Sequence, residues 1–527
     1  MSNEIQYLAL IVAAFIFLYY ALIPSRRLPL PPGPSPLPII GNLHQAPKSE
    51  SWLKYYDWAR EYGPIMHFSL LGQSVIVISS LRIAQDLLAK RGSIYSDRPR
   101  LVVAGELATN GLHILLRPYN ARLRLHQRME APILNSKASD SYSPVQDLES
   151  KQLLYDLLSN GNNKRGTYFH EIFQRTTAST IYSLAYGYRL KTGKEEELVN
   201  AQKVQIEFGE MVQVGRYLVD TFPILNHLPK FLAPWKREAE KSYRKHSKLH
   251  VGNAQRALEG TVWNFSKRMA ESAAYKTSDM GIEEFAFDIG EIANAALDTT
   301  TMTMDWFIAA WVTQDGNESF VARAQGHIDR VVGKGRLPTY EDRPNLPYID
   351  AIVEELLRWR PIAPAGIPHM TKYEDTYEGY RIPAGSIVIP HHWAICREKD
   401  IFGEDVDDFR PERWLTNEVD ERSSPRLKDL PTVGFGFGRR MCPGRHIARN
   451  SLWLQITRLL WAFDIEIGSL DSGERIRIDP MKCTDSVIVM PQPFKAVFRP
   501  RGPWVKELIM KDCDTRGVDH VDFGIMK

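Results

Sequence analysis

Apolar residues recur at helical spacing through most of this chain, while strand-like alternation is confined to short stretches. The longest periodic run, residues 282–312, is apolar on nearly every side through Phe285, Phe287, Ile289, Ile292, Ala295 and Leu297. A helix without a polar face belongs in the middle of a domain. Further helices are predicted at 81–90, 195–215, 235–269, 348–360 and 445–463. Two strands are expected within 65–79 around Leu71-Gly72-Gln73, a hairpin over 380–389, and a turn and strand at 481–490. The expected fold class is mainly α with a small β region. Two apolar stretches, 101–116 and 217–234, carry no clear period and read as loops that contact a ligand, a membrane or the rest of the protein.

The ends of the chain differ from its body. Residues 7–23 are unbroken apolar, about 25 Å as a helix and just long enough to cross a bilayer. Arg26 and Arg27 follow with no small-residue cleavage site, which predicts an uncleaved anchor with the body of the protein in the cytosol. Next comes Leu30-Pro31-Pro32-Gly33-Pro34, which cannot continue a helix and reads as a stiff spacer. The expected organisation is an anchor at 1–25, a hinge at 26–44, one large domain at 45–502 and a polar tail at 503–527.

Composition narrows the function classes. Of the 527 residues, 44% are apolar and 24% charged, ordinary for a chain that buries a core. The 66 basic and 63 acidic residues leave a formal charge of +3, which is no nucleic-acid signature. The four cysteines include no C-x-x-C pair, which argues against a disulfide scaffold or a structural zinc site and for a reducing compartment.

One cysteine stands apart. In Phe435-Gly436-Phe437-Gly438-Arg439-Arg440-Met441-Cys442-Pro443-Gly444, Cys442 lies between glycines that permit close approach of a flat partner, just after two arginines. The helix beginning after Gly444 is expected to lower the thiol's pKa and stabilise a thiolate. Such a sulfur suits a single axial ligand to haem iron, with arginines on the haem propionates. The plainer alternative is a buried free cysteine in a glycine-rich turn. A second polar insertion, Asp298-Thr299, interrupts the long apolar helix after Ala295-Ala296-Leu297, where a carboxylate and a hydroxyl must be hydrogen-bonded. A third pattern places Glu355 and Arg358 at i, i+3 on one helix face, with Arg413 downstream in Phe409-Arg410-Pro411-Glu412-Arg413-Trp414.

Taken in order, these motifs resemble the cytochrome P-450 family from about Pro31 to Pro500, microsomal members above all. Phe435, Gly438, Arg440, Cys442 and Gly444 fill its Phe-x-x-Gly-x-Arg-x-Cys-x-Gly pattern. The resemblance implies haem b (iron protoporphyrin IX), with Cys442 as the iron ligand, Arg440 and His369 on propionates, and Phe435 near the sulfur. It implies that Asp298 delivers protons, that Thr299 stands beside the reacting oxygen, and that Glu355, Arg358 and Arg413 form a buried structural bridge. The family's Trp-x-x-x-Arg falls on Leu123 and Gln127, a departure for which one of Arg122, Arg124, His126 and Arg128 is the expected substitute, Arg124 first among them, and Ala296 stands where glycine is usual. Gly366-Ile367-Pro368-His369 resembles fungal members that oxidise secondary metabolites.

The implied activity is insertion of one oxygen atom from O2 into an apolar terpene, polyketide or alkaloid at the endoplasmic reticulum membrane. No Gly-rich nucleotide loop is present, so electrons are expected from NADPH–cytochrome P-450 reductase, docking near Arg439, Arg445 and Arg449. Cytochrome b5 is a second candidate donor. The alternatives are an O2-independent haem-thiolate isomerase or dehydratase, and a non-catalytic haem-binding membrane protein.

Overall fold

The structure, a computed structural model, describes residues 28–521 except 161–164, 214, 315–318, 417–426 and 471. The predicted anchor at 1–25 lies outside these residues. Among the described residues, no helix is long and apolar enough to cross a membrane.

Helices of ten residues or more are numbered α1–α11. They are α1 (Ser51–Tyr62), α2 (Ala121–Leu134), α3 (Ser143–Asn160), α4 (His170–Tyr186), α5 (Glu196–Met211) and α6 (Pro234–Glu259). There follow α7 (Ile282–Thr313), α8 (Phe320–Val331), α9 (Pro347–Trp359), α10 (Arg445–Ala462) and α11 (Pro503–Asp512). Nine short strands complete the fold: β1 (Ile65–Leu70), β2 (Gln73–Ile78), β3 (Thr167–Tyr168), β4 (His369–Met370), β5 (Asp375–Tyr377), β6 (Tyr380–Ile382), β7 (Ile387–Pro390), β8 (Phe463–Ile467) and β9 (Lys495–Pro500). They form a four-stranded sheet ordered β1-β2-β7-β4, a three-stranded sheet β3-β9-β8 and a separate β5-β6 hairpin.

The 32-residue α7 runs through the centre and packs on α4 along one flank and α6 along another. Its all-round hydrophobicity is used in full. The C-terminal half joins a core with Trp306, Phe307, Trp359, Trp453 and Trp461, all buried, while the N-terminal half joins a second core around Phe265, Phe285 and Ile289. A long helix is thereby held on all sides, so side chains facing its few openings are placed rigidly.

Several expectations need correction. The predicted helix at 235–269 breaks at Gly260, where the chain leaves α6 in extended geometry; a new helix starts at Phe265, capped by Asn264 Oδ1 accepting from the Lys267 N–H at 2.9 Å. The predicted hairpin at 380–389 does not fold on itself. β6 pairs with β5, whereas the apolar β7 runs parallel to β2 and antiparallel to β4, because Ile387-Val388-Ile389 needs cover on both faces. At 481–490 there is a turn but no strand, only a single bridge from Cys483 to Pro491. The Pro/Gly stretch is docked rather than free: Pro32 C=O accepts from the His67 N–H at 2.9 Å, and a Cβ on Gly33 would sit 1.8 Å from His67 O. The segment after Gly502 forms α11, buries Val505, Ile509 and Cys513, and closes when the Arg189 guanidinium donates to the carbonyls of Thr515 and Val518, each at 2.7 Å.

The Glu355 cluster is as expected and larger. Arg358 Nε donates to Glu355 Oε2 at 2.7 Å and Nη2 to Oε1 at 2.8 Å, while Arg413 Nε donates to Oε1 at 3.0 Å. Trp414 Nε1 (2.9 Å) and the Arg410 N–H (2.8 Å) fill the remaining lone pairs, and all three charged side chains are buried. Replacing Glu355 with Gln would leave two guanidiniums without a counter-charge in the interior. Denaturant unfolding should show a loss of about 3–5 kcal/mol; a loss below about 1 kcal/mol would mean the bridge is not a stability element.

Candidate active site

Cys442 sits on the loop that precedes α10, and its N–H donates to the Phe435 carbonyl at 2.8 Å. Gly438 makes the loop possible: φ is +57°, and an added Cβ would lie 2.2 Å from Leu88 O. At Gly444 a Cβ would lie 4.0 Å from the sulfur, in ordinary contact. The loop rests on α9 through Glu354, which pairs with Arg449 Nε at 2.9 Å and accepts from the Thr432 hydroxyl at 2.6 Å. Arg449 also stacks 5.2 Å from the Phe435 ring. It therefore braces the loop from inside and is not free for partner docking, unlike the exposed Arg439.

The thiol is half-buried, and its acidity departs from expectation. Burial raises the pKa, and the N–H groups of Gly444 and Arg445 with the Arg445 charge only partly offset it. The helix N-terminus does act as predicted, but desolvation outweighs it. A thiolate here is stabilised when a metal cation takes the sulfur.

Beside this loop lies a pocket of cations that no carboxylate pairs directly among the described residues, with Asp97 acting on both guanidiniums through space. Arg98 is buried, donating from Nη1 to the carbonyls of Ile367 (3.1 Å) and Pro368 (2.6 Å) and from Nε to Leu115 O at 3.1 Å. Arg440 donates from Nε to Ser96 O at 2.9 Å and from Nη2 to Arg117 O at 2.5 Å. Neither has a carboxylate within ion-pair distance among the described residues. Burial, and for Arg98 the Arg440 charge, push them down to about 9 and about 10 respectively. His369, buried on β4, lies close enough to feel both charges, and its Nδ1 is 2.7 Å from Tyr95 O. That carbonyl fixes the proton on Nδ1, and desolvation, then the Arg98 charge, hold the ring neutral.

Two desolvated guanidiniums and a neutral imidazole, none of them ion-paired to a carboxylate among the described residues, suit a ligand carrying carboxylates. Among the described residues no group of three or more His, Cys, Asp or Glu could hold a bare metal ion, so a metal on Cys442 must bring its other ligands with it. Both observations fit haem. Arg124 does not join the buried centre: it is exposed, 5.9 Å from the Tyr119 ring, whose other neighbours are Arg439 (5.2 Å) and Arg440 (5.8 Å). Gln127, at the other departing position, donates to Arg439 O at 3.1 Å and tethers α2 to the loop.

The opposing wall is α7. Ala295 is exposed although Ala293, Asn294 and Leu297 around it are buried, so the helix opens there onto an internal space. Ala296 and Leu297 pack in one cluster with Ile447 of α10, which brings this face close to the cysteine loop. The Thr299 hydroxyl donates to Ala295 O at 3.0 Å. Asp298 Oδ1 accepts from Gln174 Nε2 at 2.8 Å, and Gln174 Oε1 accepts from Gln202 Nε2 at 2.7 Å. Burial pushes the Asp298 carboxyl up, against the Gln174 hydrogen bond and the His170 charge. Two turns along α7, Asp305 Oδ2 lies 2.7 Å from Nδ1 of the partly exposed His170.

The sequence pattern missed Arg98, Gln174, His170 and Asp305. Arg98 reads locally as one more charge between Asp97 and Pro99, and nothing in that spacing announces its burial.

Residues 31–498 match the model of the cytochrome P-450 family. The chain is 41% identical to the cytochrome P-450 monooxygenase aneD of Aspergillus aculeatus, over 91% of this chain and 89% of the relative. It is 39% identical to the monooxygenase drtD of Aspergillus calidoustus, over 95% of this chain and 91% of that one. It is also 37% identical to peniB of Penicillium patulum, over 97% and 93%. With such coverage at such identity, and a site suited to a thiolate-ligated haem, this chain belongs to the cytochrome P-450 family and is a haem-thiolate monooxygenase.

Proposed function

We propose that the enzyme inserts one oxygen atom into a largely apolar small molecule of fungal secondary metabolism, using haem b and electrons from an NADPH–cytochrome P-450 reductase. The observation that carries this reading is the pocket of Arg98, Arg440 and His369, neither guanidinium ion-paired to a carboxylate among the described residues, beside half-buried Cys442 and opposite Asp298 and Thr299 on the open side of α7. Cys442 is the iron ligand, and Arg98, Arg440 and His369 take the propionates. Phe435 and Gly438 shape the loop, while Gly444 starts α10 beneath the sulfur.

When bound, thiolate-ligated haem supplies the activation of dioxygen, since electron density from sulfur favours O–O cleavage. The chain's own task is to keep that space dry and to meter protons into it. Asp298, raised by burial, holds and releases a proton nearer neutrality than an exposed aspartate would. Thr299 spends its hydroxyl proton on Ala295 O, which leaves its lone pairs to accept from a proton donor. His170 and Asp305 stand between this pair and solvent. The acid–alcohol pair favours oxygen insertion over an O2-independent rearrangement.

A membrane location at the endoplasmic reticulum, with the catalytic domain cytosolic, is supported by the apolar sequence 7–23 and by a patch between α5 and α6. There Ile224 and Phe231 are 72% and 74% exposed, beside exposed Leu218, Phe222 and Leu232. A patch of this kind marks a contact surface. Exposed Arg439, with Arg445, supplies positive charge for an acidic redox partner, the reductase or cytochrome b5.

Co-expression with a reductase and a screen of terpenes, polyketides and alkaloids should yield products heavier by one oxygen, dependent on NADPH. A mass-neutral or dehydrated product formed without NADPH would overturn the monooxygenase reading. Cys442→Ala should abolish haem retention in purified protein; an unchanged absorption spectrum would sink the ligand assignment. Arg98→Leu should lower the haem-to-protein ratio severalfold while Arg124→Leu leaves it unchanged. Asp298→Asn should slow product formation by about 100-fold or more with haem content intact; unchanged turnover would remove it from the proton path.

A further inference from the structure

Asp298 is held from α4 by a neutral side chain. α4 carries His170 and Gln174 four residues apart on one face, and α7 carries Asp298 and Asp305 two turns apart. The two helices pack side by side and pair these residues in opposite order, Asp298 with Gln174 and Asp305 with His170. Gln174 Nε2 donates to Asp298 Oδ1 at 2.8 Å, and Nε2 of Gln202, on α5, donates to Gln174 Oε1 at 2.7 Å. Three helices thus meet in one chain of hydrogen bonds that runs amide, amide, carboxyl.

That chain has a direction. An amide donates only from nitrogen and accepts only at oxygen. Gln174 spends Oε1 on Gln202, so it meets Asp298 with its NH2, and Oδ1 must accept. When the carboxyl is protonated, the proton therefore sits on Oδ2, the oxygen that α4 does not hold. Moving it to Oδ1 would require both amides to turn over together. Charge matters as well. A lysine or arginine at position 174 would hold Asp298 ionised. The neutral amide orients the carboxyl, while burial raises it against the Gln174 hydrogen bond and the His170 charge. Burial raises Asp305 too, against the His170 hydrogen bond and charge, and the Asp298 charge adds to the rise. Against burial, Asp305, Asp298 and Glu171 raise His170.

We propose that Gln174, oriented by Gln202, is a positioning residue for oxygen insertion: it fixes the proton of Asp298 on Oδ2 and makes that oxygen the donor. The inference rests on the monooxygenase reading above and supplies the orientation that reading needs. A general acid works only when the atom carrying its proton points at the group that takes it. In the step, the Oδ2–H bond breaks and its electron pair stays on the carboxylate, which Gln174 still holds at Oδ1. A proton from water restores the acid, and Asp298 is neither oxidised nor reduced.

The test is infrared difference spectroscopy across pH on haem-loaded full-length protein in detergent. The signal is the carbonyl stretch of the protonated carboxyl that Asp298→Asn removes. With the proton on Oδ2, the carbonyl oxygen is Oδ1, and Gln174 donates to it. Gln174→Leu should therefore move the band to higher wavenumber, and its loss to higher pH, because the hydrogen bond favouring the ionised form is gone. Gln174→Lys should move the loss of the band to lower pH. Gln202→Leu frees the Gln174 amide to turn over and should split the band in two. With a substrate from the screen above, Gln174→Leu should form about tenfold less product per NADPH oxidised at unchanged haem content. A Gln174→Leu band at the wild-type wavenumber would overturn the proposal, as would pH shifts of one sign in the Leu and Lys variants, or no band that Asp298→Asn removes. If the Gln174 variants lose haem, Gln202→Leu decides, and an unchanged single band overturns the proposal. All of these leave the monooxygenase reading standing, whereas wild-type enzyme that forms no NADPH-dependent product with reductase would remove that reading first.

Discussion

Two adjacent carboxylates on α9, Glu354 and Glu355, hold the proximal half of this molecule together. Glu355 faces the interior and gathers two guanidiniums, an indole N–H and a backbone N–H, so every one of its lone pairs is used. Glu354 points the other way and holds Thr432 and Arg449, one on each side of the cysteine loop. The loop is seated on two cores, through Val433 and Phe437 on one side and Phe435 on the other. Its shape depends on glycines that approach neighbouring backbone, and such backbone keeps one geometry only when its two ends are clamped. A buried ion pair is a poor source of net stability, yet breaking one is severe. Here that asymmetry makes the platform beneath Cys442 rigid.

The pocket beside the cysteine loop solves a different problem, which is to keep charge available in a dry space. Arg98 and Arg440 are held by carbonyl oxygens instead of carboxylates. Carbonyls satisfy the N–H groups without cancelling the charge, so the pocket retains its attraction for anions. The same economy governs Cys442. Its thiol is raised by burial, and the helix N–H groups alone do not make it a thiolate. The site is completed by a ligand that brings both carboxylates and a cation.

Along α7 the polar residues divide by depth. Asp298 and Asp305 turn toward Gln174 and the partly exposed His170 of α4. Glu291 turns toward a loop and α6, where it meets two buried histidines, His113 and His250. A single helix thus presents carboxylates to different neighbours at levels about two turns apart. Packing of its two halves into separate cores fixes both levels, while exposed Ala295 leaves the helix open toward the cysteine side.

Much of this was legible in the residues alone. The apolar period of residues 282–312 called for a central helix, and α7 spans Ile282–Thr313. The i, i+3 spacing put Glu355 and Arg358 on one helix face, and the family resemblance, not the spacing, added Arg413 and the burial of the bridge. The cysteine loop was readable because its glycines and arginines are local in sequence. What tertiary structure decided is everything that depends on burial and on partners far along the chain. Whether Cys442 is raised or lowered is a contest between desolvation and nearby N–H groups, which no spacing encodes. That Arg98, and not Arg124, enters the cationic pocket depends on which side of its segment is covered by residues 367–368, about 270 positions later. Periodicity determines which faces are apolar; only the packed fold determines which polar groups are left without water.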